Sequence, residues 1–175
     1  MPSILPTTKR DVLLRVRNKL QTIPKYRDRV FIVNGEQIDD NLRDAEFLTL
    51  SMAAGTFEFA VMVGGGSIPY QSTIRIGFHK MDARDRQGTD EVVTLDTDGI
   101  YNDELTVIQT LWNSFLDEGL CGETADKILI EPLMPLNDGE LQRQNDEAFG
   151  GQGHFDSSRC VLHLDFGCKF HLATT

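Results

Sequence analysis

The stretch CVLHLDFGCKFHL, Cys160 to Leu172, decides how the rest of this chain is read. Cys160, Leu162, Leu164, Phe166, Cys168, Phe170 and Leu172 alternate with Val161, His163, Asp165, Gly167, Lys169 and His171. A period of two marks a strand with one buried and one wetter face. At roughly 3.3 Å per residue the run would span about 43 Å, far beyond the usual strand of five or six residues. A small domain rarely needs such a strand, whereas proteins that build rings or tubes use long sheets to meet their neighbours. The excess length therefore points towards assembly.

Working outward, the preceding residues 137–157 are rich in Asn, Asp, Gln, Glu and Gly and end in Gly150-Gly151-Gln152-Gly153. With Pro132 and Pro135 before them, they predict an extended loop near 132–157, of a length that is usually functional or disordered. Lys127 to Glu131 reads as a short strand. Further upstream, Asn102 is a good helix cap, Asp103 and Glu104 suit the positive end of the dipole, and Gly119 suits the exit. Between them Leu105, Ile108, Leu111, Trp112, Phe115 and Leu116 predict one broad apolar stripe packed on a sheet, with Trp112 in the core.

The first half predicts a second helix and a hairpin. Thr8 caps a run in which Val12, Leu13, Val16, Leu20 and Ile23 keep helical spacing, and Pro24 ends it. Its polar side is basic, with Lys9, Arg10, Arg15, Arg17 and Lys19; this is a solvated face, a dock for an acidic neighbour, or a contact for membrane or nucleic acid. Arg29 to Val33 and Phe47 to Met52 read as strands. Thr56 to Val63 and Tyr70 to His79 form a long hairpin whose tip is Gly64-Gly65-Gly66-Ser67. A polar stretch near 80–91, MDARDRQGTDE after Lys80, carries no apolar periodicity, and Val92 to Leu95 reads as a short strand. The expected fold is a single α+β domain over 1–175, a mainly antiparallel sheet with a long hairpin, packed by two principal helices.

Composition narrows the function. The chain has 175 residues, 40% hydrophobic and 25% charged, enough for one real core. No run nears the roughly 20 apolar residues of a membrane span, and MPSILPTTKR has no signal-peptide pattern, so an intracellular protein is expected. Residues 1–43 carry nine Lys/Arg against five Asp/Glu, or +4, which leaves −14 of the total −10 on residues 44–175. Such a surface disfavours sequence-specific DNA binding but suits a wall that DNA slides past. Cys160 and Cys168 lie eight residues apart, about 26 Å along a strand, too far to bridge. With Cys121 they read as buried thiols.

Motifs for chemistry fail at nameable positions. Asp96, Asp98 and Gly99 fit part of a calcium loop, but its first and twelfth positions would be Thr94 and Leu105. Gly64 to Ser67 lacks the following Gly-Lys-Ser/Thr of a phosphate loop, and Pro69 breaks a nucleophile elbow. His79, His154, His163 and His171 lack zinc spacing; His163 and Asp165 make only two ligands. No catalytic residue, metal or cofactor is expected. The residues singled out are contacts with other subunits: Gly64, Gly65, Gly66 and Ser67 at the tip, Arg84, Asp85 and Arg86 in the polar loop, and His163, Asp165, Lys169 and His171 on the wetter strand face.

The opening helix TTKRDVLLRVRNKLQTIP, the segment STIRIGFHK with its polar loop, the helix NDELTVIQTLWNSFLDEG and the closing strand resemble, in order and pattern, the neck proteins of tailed bacteriophages of the tail-terminator or tail-completion family. Residues 80–104 and 132–157 are longer than in the shorter members, so the subfamily stays open. The resemblance implies a non-enzymatic virion protein, assembled in the host cytoplasm, that forms a hexameric ring at the head–tail junction. Its neighbours would be tail-tube and head-connector proteins, and phage DNA would only pass through its channel. Another tail or neck role (tail tube, head completion), a soluble protein-binding adaptor using the 80–91 and 137–157 loops, and an enzyme of unrecognised type are the competing readings.

Overall fold

A computed structural model describes residues 2–33, 46–58, 67–82, 99–112, 117–145 and 158–173. The fold is α+β. Its centre is a pair of strands, β6 (Ser67–Asp82) and β11 (Ser158–Ala173), antiparallel over sixteen consecutive residue pairs from Ser158–Asp82 to Ala173–Ser67. On the far side of β6 lie β4 (Phe47–Met52), which pairs from Phe47–His79 to Met52–Ile74, and β3 (Val30–Ile32), parallel to β4 at the sheet's edge. The short β5 (Thr56–Phe57) pairs with Gln71 and Tyr70, the base of the expected hairpin.

The alternation that marks β11 is real, but its length is used inside the chain. Opposite β6, its other edge is taken in turn by four segments. These are β10 (Gln142–Asn145), β9 (Met134–Asp138), a bridge from Phe170 to Ile130, and β2 (Pro6–Thr7) at His171 and Leu172. The long strand is thus the spine of its own sheet, and its extra residues need no neighbouring subunit to satisfy their hydrogen bonds. The stretch expected as a loop near 132–157 supplies β9 and β10. A bulge between Asp165 and Phe166, together with Pro135 and the polar composition, hides the period-two pattern there. Likewise Lys80, Met81 and Asp82 belong to β6, not to the polar loop. A small second sheet holds β1 (Ser3–Ile4), β7 (Gly122–Thr124) and β8 (Lys127–Ile128).

Two helices cover one face of the large sheet. Helix α1 (Lys9–Leu20) starts as the sequence predicts: the Thr8 hydroxyl accepts from the Asp11 amide, and Val12, Val16 and Leu20 are buried. Helix α2 (Ile100–Leu111) starts earlier than expected, with Gly99 rather than Asn102 at its cap, and buries Ile100, Asp103, Val107 and Leu111. The apolar side chains of both helices join Leu48, Leu50, Ile74, Ile76, Phe78, Leu162, Leu164, Phe166, Cys168 and Phe170 in one core. Asp103 is drawn inward by Lys25, whose ammonium lies 2.7 Å from its carboxylate. Leu105 and Trp112, expected in the core, stand outside it, 51% and 49% exposed. All three cysteines are buried and outside any disulfide, and burial pushes the Cys168 thiol up, away from the thiolate form. Among the described residues no helix is long and apolar enough to cross a membrane.

Candidate interface on the polar face of the long strand pair

Register decides which side chains meet on the face of β6 and β11 turned away from the helices. Directly opposed there are Asp165 and Arg75, His163 and Gly77, Lys169 and Gln71, and His171 and Pro69. Asp165 is buried, 7% exposed, while the Arg75 side chain is 55% exposed. Arg75 donates through Nε to Oδ1 at 2.8 Å and through a terminal nitrogen to Oδ2 at 2.9 Å. This two-pronged geometry is the strong form of a charge-assisted bond. These bonds hold the Asp165 carboxyl below its usual range against the opposing effect of burial, with smaller help from His163 and Asn137. The stabilisation is therefore present above the ordinary carboxylate pKa and is lost as pH falls through the lowered folded-state value.

One step along, Gly77 is a requirement of close approach. A Cβ there would collide with the Thr49 hydroxyl and lie 3.1 Å from His79 Nε2 and 3.3 Å from His163 Nδ1. Thr49 Oγ1 and His79 Nε2 are 3.1 Å apart. Phe47 stacks on the His79 ring at 4.5 Å, and Phe31 meets Phe47 edge-on at 5.8 Å. Phe47 and Val161 are fully buried, so this end of the face is closed.

The other end is open. Gln71 and Lys169 are exposed, and the Lys169 ammonium lies 3.8 Å from Glu58, a surface pair of small energetic weight. The Ser67 hydroxyl and His171 Nδ1 are 3.3 Å apart. Beside them the bulged Leu136 lies over Gly167, and both Leu136 and Met134 stay more than half exposed. The face thus grades from a closed aromatic end, through the Arg75–Asp165 fork, to an open end of mixed charge and apolar groups.

Of the residues singled out in the sequence, Ser67, His163, Asp165, Lys169 and His171 share this face; Gly64, Gly65, Gly66, Arg84, Asp85 and Arg86 lie outside the described residues. Arg75, Thr49 and Asn137 were missed because their role depends on strand register, which local patterning does not carry. Among the described residues no group of three His, Cys, Asp or Glu side chains is placed to hold a metal ion. A shallow groove of about 390 Å³ between α1 and the small sheet carries Asp11, Arg15 and Glu123, and the Thr8 hydroxyl on its lining donates to the Asp11 carboxylate at 2.7 Å as part of the helix cap.

Helix α1 spends part of its basic face on its own chain. Arg15 donates to the carbonyls of Glu118, Gly119 and Gly122, and Lys19 pairs with Asp117, which holds the Asp117 carboxyl below its usual range. A scan against models of known protein families returns no match, and neither does a search of curated proteins.

Proposed function

We propose that this chain is a non-enzymatic structural protein of a tailed-phage virion, a tail-terminator-like subunit that assembles into a ring at the neck around the DNA channel. The observation that carries the reading is the two-sided build of the large sheet. Both helices cover one face, and the Gln71–Lys169 end of the other face stays exposed with Met134 and Leu136 beside it. In a ring of such subunits the helices stand outside and the open sheet face turns to the channel or to the next subunit. Interfaces that close a ring by rotation join unlike faces, and the chain's charge is divided unlike to unlike, +4 on residues 1–43 and −14 on the rest. The acidic majority lets DNA slide without being held, because each Lys/Arg–phosphate contact adds affinity. The length of β11 gives no support, since its own chain occupies both edges.

Electron microscopy of the purified protein, alone and mixed with tail tubes, tests the proposal. Closed rings with a central channel, capping tube ends, are expected. A protein that stays a single chain at every concentration and leaves tubes uncapped contradicts it.

A further inference from the structure

Helix α2 carries a second apolar face that its own sheet does not use. Tyr101 is 44% exposed, Leu105 51% and Trp112 49%. At about 100° per residue Tyr101 and Leu105 lie within about 40° of one another, and Trp112, the residue directly after the helix, continues on the same side. Ile108, half-buried, joins the row to the core. Single exposed apolar residues are ordinary, but a contiguous row that includes tryptophan marks a contact surface.

Negative charge flanks the row. Glu104 sits next to Asp138 of β9, and burial followed by that neighbouring carboxylate pushes the Glu104 carboxyl above its usual range. Neither carboxylate has an ion-pair partner among the described residues. A partner for this surface must bring apolar area and positive charge together. The chain carries such a surface itself. Arg27 and Arg29, on either side of exposed Asp28, leave the segment net positive and have no ion-pair partner among the described residues, and edge strand β3 follows them with Ile32 37% exposed.

We propose that the Tyr101–Leu105–Trp112 row, with Glu104 and Asp138, is the docking surface for the 27–32 segment of a second copy of this chain. The apolar row meets Ile32 of β3, the edge strand among the described residues, and Arg27 and Arg29 neutralise the two carboxylates. The inference stands on α2, Asp138 of β9 and the 27–32 segment, and does not depend on the assembly being a phage neck.

Trp112 is the only tryptophan in the chain, so its emission reports on this surface directly. The test follows sedimentation and Trp112 emission together from about 0.1 to about 100 µM, which brackets micromolar affinity. The expected result is a rise in mass with a blue shift of emission over the same range. Leu105→Asp should weaken association at least about tenfold. Arg27→Glu with Arg29→Glu, or Glu104→Arg with Asp138→Arg, should weaken it similarly, and all four changes in one chain should restore it. Association with unchanged emission, or without response to these variants, overturns the docking surface and leaves the ring reading standing. A chain that remains monomeric overturns both. Emission already blue-shifted in the dilute monomer means another part of the same chain covers the row, and also overturns the proposal.

Discussion

Helices α1 and α2 are equally long, pack on the same sheet face and share one core, yet their outer surfaces differ in kind. Outside α1 the groups are charged and in part engaged: Arg15 and Lys19 hold the 117–122 segment. Outside α2 stand the exposed apolar side chains of Tyr101, Leu105 and Trp112, with Glu104, which has no ion-pair partner among the described residues. Inward faces specify the fold, and their period is a sound guide to it. Outward faces tell what else the molecule must touch, and of the two helices α2 is the one with exposed apolar surface.

The largest effects should be alike for the two helices. Leu20→Ala in α1 and Leu111→Ala in α2 each remove a side chain that is wholly buried. Each should cost about 2–5 kcal/mol by urea unfolding. A cost under about 1 kcal/mol for Leu111→Ala would mean that α2 is not a core helix, and the comparison would collapse.

Intermediate effects should separate them by sign. The Asp117 carboxyl is lowered chiefly by its hydrogen bond to Lys19, so that pair contributes above the usual carboxylate pKa and fades as pH falls through the folded value. Lys19→Met should lose about 0.5–1 kcal/mol near neutral pH, and the loss should shrink in acid. Glu104 is shifted the other way, by burial and then by Asp138, so its charge burdens the fold at neutral pH and is relieved on protonation. Glu104→Gln should raise the stability of the monomer by roughly 0.2–0.5 kcal/mol, a gain that vanishes in acid. Urea midpoints across pH check both; the same sign for both variants would remove the electrostatic contrast.

The smallest effect is the most specific. Leu105→Ser changes an exposed residue and should shift the monomer's unfolding midpoint by no more than about 0.5 kcal/mol. A destabilisation of several kcal/mol would show that the outer row is core after all.

The α1 cap, its buried positions and the two-faced nature of β11 were legible in the sequence, because local chemistry and period decide them. The rotation of α2 was not. Its apolar residues cover more than one face, and the choice between them was made by Gly99 at the cap and by Lys25 pulling Asp103 inward. Nor were β9 and β10 legible, since Pro135 and the bulge at Asp165–Phe166 interrupt alternation. The site was read in part. Asp165 lay on the correct face, but its fork with Arg75, ninety residues away, needed the register of the two long strands.

Hydroxyl-radical footprinting at low and high protein concentration tests most directly whether the spare face of α2 serves assembly. On association Tyr101, Leu105 and Trp112 should lose most of their modification, while Arg15 and Lys19 of α1 should not change. Equal modification of the α2 row at both concentrations, in a sample whose mass has risen, would contradict the account.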